Sequence, residues 1–113
     1  MAEPSLEVLL DDSVEVCTSS VIVIAYSVRV ADYQVLSLRA HLRDGSFVDV
    51  FHNLASARIA LALIAGGMRV YGKDNSHIVW HVHPYGSTDE HLPCAPSSFQ
   101  AFLAEAEALR FAK

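Results

Sequence analysis

Residues 77–84, with the sequence HIVWHVHP, hold three of the six histidines of the chain in eight positions. In an extended strand, successive side chains point to opposite faces. His77, His81 and His83 would then share one face with Val79. The other face would carry only apolar side chains, namely Ile78, Trp80 and Val82. The second set is typical of a core, so the first predicts a row of imidazoles on the opposite face, the histidine row.

Two kinds of chemistry would use the histidine row. His81 and His83 would lie about 6.6–6.8 Å apart along one strand face. They could therefore bind Zn²⁺ or another divalent ion, with His77, Asp74 or His91 completing the ligand set. Alternatively, two of His77, His81 and His83 act as general base and general acid on a phosphodiester, because imidazole titrates near neutral pH. The second reaction needs no metal, and the residues alone do not choose between the two.

Residues beside the row are candidates for supporting roles. Asp74 could accept a hydrogen bond from an imidazole N–H and fix the orientation of the ring. A cation would stabilise negative charge that develops on a phosphodiester, and the candidates are Lys73, Arg69 and Arg39. Asn75 is a further candidate for substrate contact, although Asp74-Asn75 is also an ordinary turn sequence.

The segments that must position these residues favour β structure. VIVIAYSVRV is rich in β-branched residues, and residues 33–52 form a hairpin around the turn sequence RDGS. In its first strand an apolar face alternates with a polar one, and the apolar face comprises Leu36, Leu38, Ala40 and Leu42. MRVYG predicts a short strand, KDNS a turn and HIVWHVH the returning strand.

Helical signals lie mainly at the end of the chain. Ser97 is the predicted first residue of a helix, with Gln100 as its capping-box partner. The buried stripe of this helix would comprise Phe99, Phe102, Leu103, Ala106 and Leu109. Residues 5–20 and 54–65 each fit either a helix or a strand. The predicted fold is α+β, a mostly antiparallel sheet with a C-terminal helix packed on one face.

Composition bounds the class of protein. A chain of 113 residues, 52% of them hydrophobic, can form one domain with a substantial core, so residues 1–113 are interpreted as a single domain. No apolar stretch approaches the ~20 residues of a membrane-spanning helix. Two cysteines and an acidic N-terminal segment favour a cytoplasmic protein. The net charge of −5 excludes a generic basic coat for nucleic acids and requires any RNA contact to be local.

The order of the motifs resembles the TumE-like toxin family of prokaryotic toxin–antitoxin systems. Asp44, Gly45 and Ser46 match the hairpin turn of that family, and Asp74-Asn75 matches its Asp-Asn pair. His77 matches the histidine that follows the pair, HVH at 81–83 matches a His-x-His element, and residues 97–109 match a closing helix. The chain departs from the pattern at Gly72-Lys73, at His52 and in IALALI.

The resemblance implies a growth-inhibiting toxin paired with a helix-turn-helix antitoxin, with RNA as a plausible target. On this hypothesis His77, His81 and His83 transfer protons, Asp74 orients them, and Lys73 or Arg69 contacts phosphate. Two alternatives remain open at this point. One is a divalent-metal-binding protein that uses the same histidines, and the other is a non-catalytic interaction module in which they have no role.

Overall fold

The computed structural model describes residues 5–76 and 79–111. Within these residues the elements are α1 (Leu6–Ser19), β1 (Val23–Ala31), β2 (Val35–Leu42), β3 (Phe47–Asn53), β4 (Arg58–Ala65), β5 (Met68–Asp74), β6 (His81–His83), β7 (Leu92–Pro93) and α2 (Phe99–Phe111). The strands form one antiparallel sheet in which every strand pairs with its neighbours in sequence. The predicted α+β fold is confirmed.

Both helices cover one face of the sheet. The core under them contains the apolar face predicted for β2, of which Leu36, Leu38, Ala40 and Leu42 are all at most 2% exposed. From α2, Phe102 and Ala106 are fully buried, and Cys17 enters the same core from α1. Burial raises the pKa of the Cys17 thiol to about 11. No helix formed by residues 5–76 or 79–111 covers the opposite side of the sheet, and we call this side the open face.

Residues at the ends of segments 5–20 and 54–65 explain why the first forms a helix and the second a strand. Ser5 caps α1 by accepting a hydrogen bond from the amide of Val8 at 3.2 Å, which stabilises the helix. Residues 58–65 form a strand because Gly66 and Gly67 supply the two positive φ angles, 60° and 77°, of a two-residue hairpin turn. Leu61 and Leu63 then alternate into the core.

Three expectations at the boundaries of elements were wrong. Ser98, not Ser97, caps α2, because its hydroxyl accepts from the amide of Ala101 at 3.2 Å. Leu109 was expected to be buried, but it lies past the end of the core and is 38% exposed. Lys73 and Asp74, expected in a turn, belong to β5, where they pair with β4 and β6.

Candidate metal centre

The pairing of β5 with β6 brings the acid and two histidines together. Asp74 lies opposite His81, and Gly72 lies opposite His83. Directly opposed residues in an antiparallel pair point to the same face. On β4, Asp74 and Gly72 lie opposite Ala60 and Ala62, not opposite the buried leucines of that strand. This face is therefore the open face of the sheet. Of the strand predicted over residues 77–83, only His81–His83 forms β6, where the predicted alternation is present; Val79 and Trp80 precede the strand, and residues 77 and 78 lie outside the described residues.

Asp74 contacts both histidines. Its Oδ1 is 3.0 Å from His81 Nε2, and its Oδ2 is 3.2 Å from His83 Nε2. The side chains of His81 and Asp74 are 15% and 14% exposed, whereas that of His83 is only 4% exposed. The His83 side chain is thus buried, whereas those of His81 and Asp74 are partly accessible to solvent.

The Asp74 carboxylate is kept ionised by its neighbours. Partial burial alone would raise the pKa of Asp74, but the Ser76 hydroxyl and amide donate to Oδ1 at 2.7 and 3.0 Å. Together with the His83 contact and the nearby His81, they hold the pKa of Asp74 below its ordinary value. The site therefore offers a fixed negative charge beside two imidazoles.

His91 completes a cluster of three imidazoles. It lies in the connection between β6 and β7, and its ring centroid is 4.3 Å from that of His83 and 5.2 Å from that of His81. Each of the three histidines offers a ring nitrogen to a set in which all atoms lie within 4.8 Å of one another. His91 is exposed, so the cluster opens to solvent on its side.

Backbone carbonyls orient His81 and His83. His81 Nδ1 is 3.1 Å from the carbonyl oxygen of Val79, and His83 Nδ1 is 3.1 Å from that of Thr88. A carbonyl can only accept, so each contact requires a proton on Nδ1. Nε2 of each ring faces an oxygen of the Asp74 carboxylate, so a metal bound at Nε2 would take the place of that contact. Arg69 Nη2 lies 3.3 Å from the same His83 Nδ1 and would require the opposite protonation. If Nε2 of His83 held a metal, the ring proton would lie on Nδ1, which would then donate to the Thr88 carbonyl.

Arg69 is the one candidate cation that the structure brings to the histidines. Its side chain lies on the open face beside Gly72 and His83. Among the described residues, no carboxylate lies within ion-pair distance of it. Arg69 is therefore available to an anion that approaches the cluster.

The other candidate contacts lie elsewhere. Lys73 points to the helix side of the sheet, where its Nζ is 2.9 Å from Glu105 of α2. Asn75 closes a loop, since its amide oxygen accepts from the Ile59 amide at 2.7 Å and its nitrogen donates to the Ala57 carbonyl at 2.8 Å. Arg39 pairs with Asp49 at 2.8 Å in the middle of the sheet. His77 lies outside the described residues.

Comparisons with protein-family models, with curated proteins and with solved structures gave no match in any of the three. Within the described residues, neither helix is long and apolar enough to cross a membrane. The function must therefore be argued from the site itself.

Proposed function

We propose that this protein binds one divalent transition-metal ion, with Zn²⁺ as the best-suited metal, through His81, His83 and His91. The observation that carries the proposal is the convergence of three imidazole nitrogens within 4.8 Å. Imidazole is a preferred ligand of zinc, and three protein ligands with an accessible fourth position are typical of catalytic zinc sites. Asp74 adds the negative charge that offsets a dication.

The surroundings of the cluster suit this role. In metal sites, the ring nitrogen that does not bind the metal usually donates to a carbonyl or carboxylate, which fixes the ring. Val79 and Thr88 supply such carbonyls for His81 and His83. Nitrogens ~2.0–2.1 Å from one tetrahedral zinc lie roughly 3.4 Å apart. The widest spacing must therefore contract by roughly 1.4 Å at most from 4.8 Å, and rotation of the exposed His91 side chain can supply that movement.

The arrangement would support hydrolysis. His81, His83 and His91 would hold the ion, and zinc in such a site would activate water as a nucleophile at neutral pH. Of the residues in place, Asp74 supplies a negative charge beside His81 and His83, and Arg69 offers a positive charge beside His83. Arg69 would bind an anionic substrate such as a phosphodiester.

Zinc uptake tests the proposal directly. Protein stripped of metal with a chelator, then dialysed against buffered Zn²⁺, is expected to retain about one zinc per chain, because the described residues form one such cluster. The measurement is zinc by atomic emission against protein by amino-acid analysis. A stoichiometry near zero would refute the zinc centre.

We further propose, as a second function, a cytoplasmic toxin of a toxin–antitoxin pair whose target is RNA. The motif order described above and the position of Arg69 beside the histidines support it. Metal-independent acid–base cleavage by His81 and His83 fits less well, because the His83 side chain is only 4% exposed and both imidazoles contact one carboxylate. A helix-turn-helix protein encoded by the neighbouring gene would support the pairing, and its absence would argue against it.

A further inference from the structure

The charges of this acidic chain are divided between the two sides of the sheet. Of the described acidic residues, α1 carries Glu7, Asp11, Asp12 and Glu15, and α2 carries Glu105 and Glu107. The open face carries four arginines, namely Arg29, Arg39, Arg58 and Arg69. On its strands the open face has two acids, Asp49 and Asp74, and Asp89 and Glu90 lie in the connection that holds Thr88 and His91 beside the cluster. Asp49 pairs with Arg39, and Asp74 contacts the histidines. The open face is therefore basic over β1–β4, where Arg29, Arg39 and Arg58 outnumber Asp49, while the net charge of the chain is −5.

Cross-strand pairing joins this surface to the metal centre. One row of directly opposed residues runs from Arg29 through Ser37, Phe51, Ala60 and Asp74 to His81. In the next row, Arg39 and Asp49 are followed by Ala62, Gly72 and His83. With strands ~4.8 Å apart, β2 lies roughly 19 Å from β6. The small residues of β4 and β5 leave a shallow floor between the arginines and the histidines.

Aromatic rings lie among the arginines. The guanidinium of Arg39 is 4.0 Å from the ring centre of Phe47, and that of Arg58 is 5.8 Å from that of Phe51. Both phenylalanines are half-buried on the open face. A groove of about 520 Å³ lies beside Phe51, and its polar lining comprises Ser27, Arg29, Ser37, Arg39 and Asp49.

We infer that the open face binds single-stranded RNA, with bases against Phe47 and Phe51 and phosphates at the arginines, and directs it to the histidine cluster. Arginines that contact the backbone and aromatic rings that stack on bases are the two components of single-strand recognition on sheets. A polyanion complements this face, whereas the acidic helix side would repel it. The inference rests on the proposed RNA-directed function and identifies the open face as the surface that binds the RNA.

Binding of a fluorescein-labelled 12-nucleotide oligouridylate, followed by anisotropy, tests the inference. The full chain is used after metal removal, so that the result does not depend on the zinc centre. Arg58→Ala is expected to weaken binding and to lower the slope of log affinity against log salt by about 1. Phe51→Ala is expected to weaken it at least about fivefold, the lower end for one stacked base.

The chain offers a matched control for Arg58. Arg43 also lies over a phenylalanine ring, 5.0 Å from that of Phe111 on α2. Arg43→Ala should leave RNA binding unchanged. Equal losses in Arg43→Ala and Arg58→Ala, equal affinity for a double-stranded RNA of the same length, or no binding by the wild type would each overturn the inference. RNA binding without zinc uptake would refute the zinc centre alone.

Discussion

The His83→Ala variant is expected to bind Zn²⁺ more than about 100-fold more weakly than the wild type. Loss of a group that only supports a ligand costs about 10–100-fold in metal affinity, so loss of a ligand should exceed that range. His83 is also the most buried of the three histidines and the one whose ring lies closest to that of His91. Competition with a chromophoric zinc chelator measures the affinity.

Two further variants calibrate this loss. Asp74→Ala should weaken zinc binding by about 10–100-fold, because the carboxylate lies beside both Nε2 atoms and supplies the charge that offsets a dication. His41→Ala should have no effect, since His41 lies on β2, packed beside Phe47 and away from the cluster. Circular dichroism excludes unfolding as the cause. An affinity for His83→Ala equal to that of His41→Ala would mean that the cluster does not hold the metal.

Induced expression of the wild type is expected to arrest bacterial growth, and the double variant His81→Ala/His83→Ala is expected to permit normal growth. The physical reason is that the double variant removes two of the three converging nitrogens and the partners of Asp74. Growth curves after induction measure the effect. Immunoblots of soluble protein show that both forms accumulate, and Arg43→Ala, whose side chain lies over Phe111 of α2, serves as the control that should remain toxic.

The growth assay also separates the remaining alternatives. Arrest by both the wild type and the soluble double variant would favour the interaction module, in which the histidines have no role. Normal growth with the wild type would refute toxicity in that host. The zinc centre would then be tested by the metal-binding measurements alone. If growth arrest follows the histidines, degradation of total RNA becomes the next measurement.

The predictable parts of the fold depended on local signals. The hairpin of residues 33–52 follows from strict alternation and an Asp-Gly turn, and its register buries the predicted face of β2. Residues 54–65 were ambiguous because alanine and leucine favour a helix, while Ile59, Leu61 and Leu63 also fit a strand. The Gly66-Gly67 turn and the pairing partners on both sides decide for the strand, and pairing partners are not visible in a local window.

The sequence predicted which site residues lie together only where they belong to one strand or to two directly paired strands. His81 and His83 share a face because they lie two positions apart in one strand, and Asp74 joins them from the adjacent strand. Lys73 was a natural candidate from sequence proximity, but a neighbour in a strand points to the other face, and it pairs with Glu105. The arginines of the open face lie on β1, β2, β4 and β5, so only the register could assemble them.

His91 shows the limit of spacing as a guide. It was one of three residues that could complete a metal site, and no spacing rule favoured it over His77 or Asp74. The irregular segment between β6 and β7 returns it to the cluster, and the turn that includes Thr88 provides the carbonyl that orients His83. Ser76, which holds Asp74, gave no signal beyond its place in a turn sequence.

X-ray absorption at the zinc edge of the wild-type protein tests the central claim most directly. With one equivalent of zinc bound, we expect a first shell of nitrogen and oxygen at ~2.0–2.1 Å and outer-shell scattering from three imidazoles. In the His91→Ala variant, the imidazole contribution should fall from three to two. A sulfur shell at ~2.3 Å, which would implicate a cysteine, or a spectrum without imidazole scattering would contradict the proposed metal centre.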